Sequence, residues 1–240
     1  MRIFWYYLGL GVFLLAIYAC ARRNEKHKDG RETADLCVSR RKKRLQGIVF
    51  SCFIAFLLLF LLFPQKKSFE IDFLDVGQGD GIYLCTGGGT SMFIDGGSTD
   101  VKQVGKYRIL PFLKAKGVSE ISYWFVSHTD TDHVSGLKEV LVSGYRVEYL
   151  VFAKAVEKEA KTKELAELAR SHGTKVLYMQ AGDTVRSKRA AMRCLYPKAA
   201  DKAEDVNDLC LVLQFEEGDI SALFGGDLSL IHISEPTRPY

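Results

Sequence analysis

The sequence predicts an α/β domain that follows two apolar segments long enough to span a membrane. Apolar runs without charge cover Ile3 to Ala21 and Gly47 to Phe63. Each run is at the short end of the ~17 to 25 residues that a spanning helix needs. After Lys67 the pattern changes to short strand-like runs separated by glycine turns, which is typical of a layered α/β domain.

The positive charge of the chain is concentrated between the two apolar runs. Residues 22–46 contain ten Lys or Arg and four acidic residues, whereas residues 47–240 contain 22 basic and 25 acidic ones, a net charge of −3. Short loops rich in Lys and Arg stay in the cytoplasm. We therefore expect the N-terminus outside, the basic loop inside and everything after Pro64 outside. The mildly acidic domain gives no support for a basic nucleic-acid-binding face.

A cleaved signal peptide is the alternative for the first apolar run, because Ile17-Tyr18-Ala19-Cys20 loosely resembles a lipid-attachment site. Cleavage there would place the basic loop on the outer face, against the usual charge rule. The six cysteines show no CxxC spacing, so we interpret them as ordinary buried thiols rather than as a disulfide framework.

Local patterns in the domain predict mostly strands. They are expected at Phe69 to Val76, Gly81 to Cys85, Ser91 to Ile94, Ile121 to Ser127, Lys175 to Met179, Ala191 to Tyr196, Cys210 to Glu216 and Ile220 to Phe224. Alanine and leucine recur among Lys and Glu from Val156 to His172, which indicates an amphipathic helix ended by Gly173. Glu217-Gly218-Asp219 is typical of a hairpin turn between the last two strands.

Four groups able to bind a metal follow the strand that ends at Ser127: His128, Asp130, Asp132 and His133. Alternate residues of an extended segment point the same way, so His128 and Asp130 can converge on one point. Asp132 and His133 then reach a neighbouring point, and two adjacent metal ions are the simplest arrangement that uses all four. The alternative is a solvated loop in which one Asp caps a helix beginning near His133. Two His and two Asp in this order at a strand end favour the metal site.

This segment resembles the HxHxDH signature of the metallo-β-lactamase superfamily, with Asp130 where the second His usually stands. Three more motifs resemble the C-terminal domain of the ComEC family of bacterial DNA-uptake proteins: Phe73-Leu74-Asp75-Val76-Gly77-Gln78-Gly79-Asp80, Ile94-Asp95-Gly96-Gly97 and Gly225-Gly226-Asp227. Asn207-Asp208-Leu209-Cys210 is similar to the family's Asn-x-x-Ser motif, with Cys210 in place of the serine. Membrane helices precede the hydrolase domain in that family, as the apolar runs do here.

The resemblance implies an incomplete metallo-β-lactamase fold, an αββα sandwich, over residues 65–227, after two transmembrane helices and a basic cytoplasmic loop in residues 1–64. It implies that His128, Asp130, Asp132 and His133 bind two divalent ions, zinc or manganese, which Asp227 bridges. Asp132 and a metal-bound water would be the catalytic groups, so no side-chain base is required. Asp130 in place of a His gives the site a harder oxygen ligand, which favours manganese or magnesium.

Four other polar residues are expected near the metals or the substrate. Asp95 resembles a carboxylate that orients a ligating His, although an Asp before two glycines is also typical of a turn. Asp75 and Asp80 flank a Gly-Gln-Gly loop that should approach the site. Asn207 belongs to the Asn-x-x-Ser motif.

The family pattern continues past the Gly-Asp motif to a further His pair, whereas this sequence runs thirteen residues beyond Asp227. Residues 228–240 resemble translated sequencing-adapter DNA, and we expect them to be a non-native tail that supplies no ligand. Met1 is compatible with an internal methionine of a longer channel protein.

The resemblance implies a multi-pass protein of the bacterial cell membrane whose extracellular domain is a metal-dependent nuclease. Its partners would be single-stranded DNA and other competence-channel components. One alternative is a membrane-anchored hydrolase of another ester or amide, because a fold does not fix its substrate. Another is a catalytically incomplete fragment that binds metal weakly.

Membrane orientation can be tested with a reporter enzyme that is active only outside the cytoplasm. Fused after Lys67, it should be active, because the ten cations of residues 22–46 hold the preceding loop inside. The same reporter fused within that loop should be inactive. An inactive fusion after Lys67, together with an active fusion within the loop, would contradict the predicted orientation.

Overall fold

A computed structural model of the chain describes residues 46–57, 68–201 and 206–227. The chain divides into two compact units, Met1–Pro64 and Gln65–Tyr240. In the first unit, residues 46–57 are helical. The first predicted span, the basic loop up to residue 45, the end of the second span and residues 228–240 lie outside the described residues. No helix in the described ranges is both long and apolar enough to cross a membrane.

The second unit contains a six-stranded sheet whose spatial order follows the sequence. Its strands are β1 (Glu70–Phe73), β2 (Gly81–Cys85), β3 (Ser91–Asp95), β4 (Glu120–Phe125), β5 (Arg146–Ala153) and β6 (Lys175–Met179). β1, β2 and β3 pair antiparallel, and β3 to β6 run parallel. Parallel neighbours require crossover connections. The helices in these crossovers are α1 (Leu110–Ala115), α2 (Thr131–Val142) and α3 (Ala160–Ser171).

A second, antiparallel sheet has the order β10-β9-β8-β7. Its strands are β7 (Thr184–Arg186), β8 (Ala190–Tyr196), β9 (Val212–Glu217) and β10 (Ile220–Phe224). The turn between β9 and β10 falls at Gly218 and Asp219, as the sequence predicts. Gly218 has a φ of 59°, a conformation that glycine adopts readily.

Two hydrophobic cores lie on opposite faces of the six-stranded sheet, because successive strand residues point to opposite sides. On one face, Phe93 and Trp124 pack with apolar residues of the helices. On the other, Met92 and Phe125 pack with Phe215 and its neighbours in the second sheet. The described residues of this unit therefore form three layers: the helices, the six-stranded sheet and the four-stranded sheet. These are three of the four layers expected for an αββα sandwich, and the predicted α/β class is confirmed.

Strand directions bring several loops to one edge of the stack. β3 and β4 are parallel, so the residues that follow them meet at their common carboxyl end. β2 is antiparallel to β3, and the pairing of Gly81 with Asp95 puts the start of β2 at the same edge. The Leu211 N–H donates to the Ser127 carbonyl (2.9 Å), which ties the approach to β9 to the end of β4. Loops from both sheets can therefore contribute side chains to one site.

Candidate metal centre

The two histidines of the motif lie with their rings in contact, 3.9 Å between centroids. Each side chain is only 2% exposed. The Nε2 atoms of His133 and His128 lie 3.3 Å and 3.9 Å, respectively, from Oδ2 of Asp227. The structure therefore brings together three residues that the sequence predicts as metal ligands: His128 from the loop after β4, His133 from the first turn of α2 and Asp227 from the loop after β10.

The Asp95 carboxylate orients both imidazole rings. Its Oδ1 accepts a hydrogen bond from the Ser127 backbone N–H (2.7 Å), and its Oδ2 accepts one from the Ser127 hydroxyl (2.8 Å). Oδ2 also lies 3.1 Å from Nδ1 of His133. The Ser127 hydroxyl oxygen lies 3.1 Å from Nδ1 of His128 and accepts from it, because its own proton goes to Asp95. Both rings therefore carry their structural hydrogen bond at Nδ1 and direct Nε2 towards Asp227.

The backbone conformation of Asp95 positions its carboxylate. It is the last residue of β3, has a φ of 58° and is 1% exposed. Asp is among the residues that tolerate this left-handed conformation. The Trp124 indole N–H donates to the Asp95 carbonyl (2.6 Å), which holds the Asp95 backbone from the β4 side. The structure thus places Asp95 in a left-handed backbone conformation at the end of β3 and beside Nδ1 of His133, and its role in orienting a metal-binding His stays a prediction.

Glycines permit the close approach of the surrounding loops. A Cβ at Gly97 would overlap the backbone of Asp132 and His133. Gly226 has a φ of 55°, and a Cβ there would lie 2.8 Å from Cβ of Ser127. Because Gly226 packs directly on Ser127, the next residue, Asp227, reaches the imidazole rings.

The donor set fits a divalent cation. Nε2 of His128 is buried and has no hydrogen-bond partner among the described residues, which is unusual for a buried polar atom. Imidazole nitrogens and carboxylate oxygens are the ligands that zinc and manganese take in proteins. Two groups of three side chains place their ligand atoms within 4.8 Å of one another: His128, His133 and Asp227, and Asp80, Asp95 and His133.

Asp132 and Asp130 of the motif lie at the start of α2. Oδ2 of Asp132 is 3.7 Å from Nε2 of His133, so this carboxylate adjoins the centre. Asp130 is the N-cap residue of α2 but makes no side-chain cap bond. Its Oδ1 lies 2.8 Å from Nζ of Lys161 on α3, and it belongs to neither group of three. Direct metal binding by Asp130 and Asp132 stays a prediction.

The other predicted residues occupy different surroundings. Asp80 lies beside Asp95 and His133. Oδ2 of Asp75 instead lies 3.2 Å from Arg108, and its side chain is 83% exposed. Asn207 lies in the 3-10 turn Val206–Leu209.

Cys210, which stands where the family motif has serine, is fully buried. Burial raises the pKa of its thiol to about 12. Cys210 therefore stays protonated at neutral pH and adds no negative charge to the centre.

Two residues of the site are not singled out by the sequence. Ser127 links Asp95 to His128, and its only signal in the sequence is its place directly before the first His. Lys161 pairs with Asp130 across 31 residues of chain. The sequence does not single it out, because it is one of two lysines at the start of the amphipathic helix α3.

The environment shifts the pKa values of the two histidines in opposite directions. Burial lowers the pKa of His133, but the hydrogen bond to Asp95 and the charges of Asp95, Asp227 and Asp132 outweigh burial and raise it to about 9. Burial, and then the charge of His133, lower the pKa of His128. Without a cation, the centre therefore carries its proton on His133 at neutral pH.

Metal affinity should rise with pH, because a cation can bind Nε2 of His133 only after the proton leaves. Since the pKa of His133 is raised to about 9, the group is protonated at pH 7 and loses its proton as the pH rises towards that value. The apparent affinity for Mn²⁺ should increase ~tenfold per pH unit over this interval and then level off. Isothermal titration calorimetry in buffers of different ionisation enthalpy would count the released proton. A flat affinity profile would contradict this assignment.

Asp95→Asn should weaken metal binding without unfolding the domain, because Asn tolerates the same left-handed backbone. The substitution removes the charge that holds Nδ1–H of His133, so Mn²⁺ affinity should fall ~10 to 100-fold. The pKa of His133, followed by NMR in the metal-free protein, should fall as well. Asp219→Asn, in the exposed β9–β10 turn, is the matched control. Unchanged affinity in Asp95→Asn would show that this carboxylate does not orient the ligands.

The chain is similar to two bacterial proteins, although no family model matches it. It is 29% identical over 209 residues to ComE operon protein 3 of Bacillus subtilis (strain 168), an alignment that covers 80% of this chain and 27% of that protein. It is 31% identical over 106 residues to Recombination protein 2 of Haemophilus influenzae, covering 43% of this chain and 13% of that protein. The chain thus matches less than a third of the length of either relative.

Solved structures with a similar fold include a metallo-β-lactamase HARLDQ-motif mutant from Cronobacter sakazakii, with TM-score 0.46, 13% identity and coverage of 64% of this chain and 60% of that one. Another is Zn²⁺-bound PqqB from Methylobacterium extorquens, with TM-score 0.43, 13% identity and coverage of 60% and 51%. Because both TM-scores are below 0.5, these structures carry no argument, and the similarity of the chain rests on its two sequence relatives. The chain carries a ComEC-like domain whose described residues form a layered α/β fold.

Proposed function

We propose that this chain is a membrane-anchored, metal-dependent nuclease whose domain after Pro64 lies outside the bacterial cell and cleaves single-stranded DNA. The observation that carries the proposal is the pair of buried Nε2 atoms, from His128 and His133, that face Oδ2 of Asp227. Similarity to ComE operon protein 3 supports the role in DNA uptake, beside other competence components, that the ComEC resemblance implies. The apolar runs at Ile3 to Ala21 and Gly47 to Phe63 support membrane anchoring.

The residues of the centre prepare it for a cation, zinc or manganese, with two ions in the intact family domain. Asp95 and Ser127 hold the rings so that Nε2 of each is directed inward. Asp132 and Asp227 add carboxylate oxygens beside His133. A bound divalent ion would polarise a phosphodiester and lower the pKa of a coordinated water, so the chain itself needs no general base.

The charge of the substrate bears on this proposal. Carboxylates surround the two histidines, and a phosphodiester would be repelled from them unless a cation offset their charge. Lys161, 2.8 Å from Asp130, adds one positive group at the motif. Residues 47–240 nevertheless carry a net charge of −3, which favours an uncharged ester or amide as the competing substrate class.

Asp132→Ala should abolish hydrolysis and leave the circular-dichroism spectrum intact, because it removes a partly exposed carboxylate beside His133 and alanine suits the first turn of α2. The full 240-residue chain in detergent, supplied with Mn²⁺ or Zn²⁺, would be assayed on labelled single-stranded DNA, on a nitrophenyl phosphodiester and on uncharged esters and amides. Asp219→Asn should keep full activity.

Each outcome of this assay supports a different one of the candidate functions or rejects the role of Asp132. Cleavage of DNA that Asp132→Ala abolishes supports the proposed nuclease. Cleavage of uncharged esters or amides alone supports the other hydrolase class. Metal binding without any hydrolysis supports a catalytically incomplete centre, and hydrolysis retained by Asp132→Ala would reject the role of that carboxylate.

A further inference from the structure

Asp80 reaches the metal centre through its position in the sheet. It directly precedes β2, and Gly81 pairs with Asp95 at the end of β3. The Asp80 backbone N–H donates to the Asp132 carbonyl (3.3 Å), and its own carbonyl accepts from the Gly97 N–H (3.1 Å). These two bonds hold Asp80 between the loop that carries the motif and the loop that follows Asp95.

The Asp80 side chain faces the centre rather than a basic partner. A carboxylate oxygen of Asp80, one of Asp95 and a ring nitrogen of His133 all lie within 4.8 Å of one another. Among the described residues, no Lys or Arg forms an ion pair with Asp80. Asp75, at the other end of the same loop, does pair with Arg108. The two aspartates of the loop therefore differ in surroundings, and only Asp80 adjoins an imidazole.

Electrostatics at Asp80 favour a bound cation. The Asp80 carboxylate shares the surroundings of His133 with the carboxylates of Asp95, Asp132 and Asp227. A half-buried carboxylate among other carboxylates is unfavourable unless a positive charge lies between them.

An independent observation points to a ligand in the same centre. Nε2 of His128 is buried without a partner and lies 3.9 Å from Oδ2 of Asp227. An imidazole nitrogen that is oriented through its Nδ1 and left unpaired at Nε2 is the form in which His binds a metal. The cluster around Asp80 therefore adjoins an unpaired imidazole nitrogen as well as carboxylates.

We propose that Asp80 is a ligand of the divalent cation held at His133, a role that lies outside the HxHxDH-like motif. This inference rests on the proposed function, since it requires the centre to bind a cation. A further carboxylate oxygen makes the ligand set harder. Asp80 therefore shifts the preference of the centre towards Mn²⁺ and away from Zn²⁺.

Asp80→Asn tests this role by metal binding rather than by activity. The full chain in detergent would be stripped with EDTA and titrated with Mn²⁺ and with Zn²⁺. Mn²⁺ affinity should fall at least ~10-fold, and Zn²⁺ affinity should fall less. The metal-free variant should unfold at the same or a higher temperature, because charge repulsion is relieved, while the increase in melting temperature on adding Mn²⁺ should shrink. Asp219→Asn should match the unsubstituted chain in every measurement.

The outcomes separate this inference from the proposed function. Mn²⁺ affinity unchanged in Asp80→Asn overturns the inference and leaves the proposed function standing. Failure of the unsubstituted chain to bind either metal overturns both. A metal-free variant that melts earlier and loses both metals equally shows a structural role and also overturns the inference.

Crystals of the unsubstituted chain with Mn²⁺ give a measurement that needs no variant. An anomalous peak with a carboxylate oxygen of Asp80 at ~2.2 Å supports the proposal. A peak whose ligands do not include Asp80 refutes it.

Discussion

The buried carboxylate of Asp95 is the group on which the geometry of the centre depends. A charge in the interior is costly unless it is fully hydrogen-bonded, and Asp95 has three partners in the Ser127 N–H, the Ser127 hydroxyl and Nδ1 of His133. These partners join the end of β3 to the loop after β4 and to α2. Because Ser127 also accepts from Nδ1 of His128, one carboxylate sets the direction of both rings. The centre is therefore organised by the same bonds that stabilise a buried charge.

The fold brings this carboxylate together with residues that are distant from it in the sequence. Parallel pairing of β3 and β4 puts Asp95 next to Ser127, and the antiparallel β2 returns Asp80 to the same edge. The second sheet supplies Asp227 through the close contact of Gly226 with Ser127. The side chains of the centre come from loops and from the ends of β3 and α2, and the two cores on either face of the six-stranded sheet hold these elements in place.

Much of the fold could be predicted from the sequence where local pattern decides structure. β2, β6 and β10 have the predicted bounds, since glycine or polar turns flank short β-branched or aromatic runs. β5 has no predicted counterpart: it is a central parallel strand, and its continuous apolar run lacks the alternation that marks a strand. α3 begins at Ala160 rather than Val156, because Lys154–Val156 form a 3-10 turn. In the site, the motif predicts the histidines, but it cannot predict partners such as Lys161 that tertiary packing brings in from a distant helix.

The electrostatics of the centre make sense only when the two histidines are considered with the acids around them. His133 holds a proton with a pKa raised to about 9, whereas the pKa of His128 is lowered. The centre thus uses a proton on one ring to offset carboxylate charge, and leaves the other ring neutral. A divalent cation would replace that single proton with two positive charges, and the residues that would hold it are the two histidines, through Nε2, and the neighbouring carboxylates. The same excess of carboxylates that is unfavourable in the metal-free centre would therefore favour the binding of a hard cation.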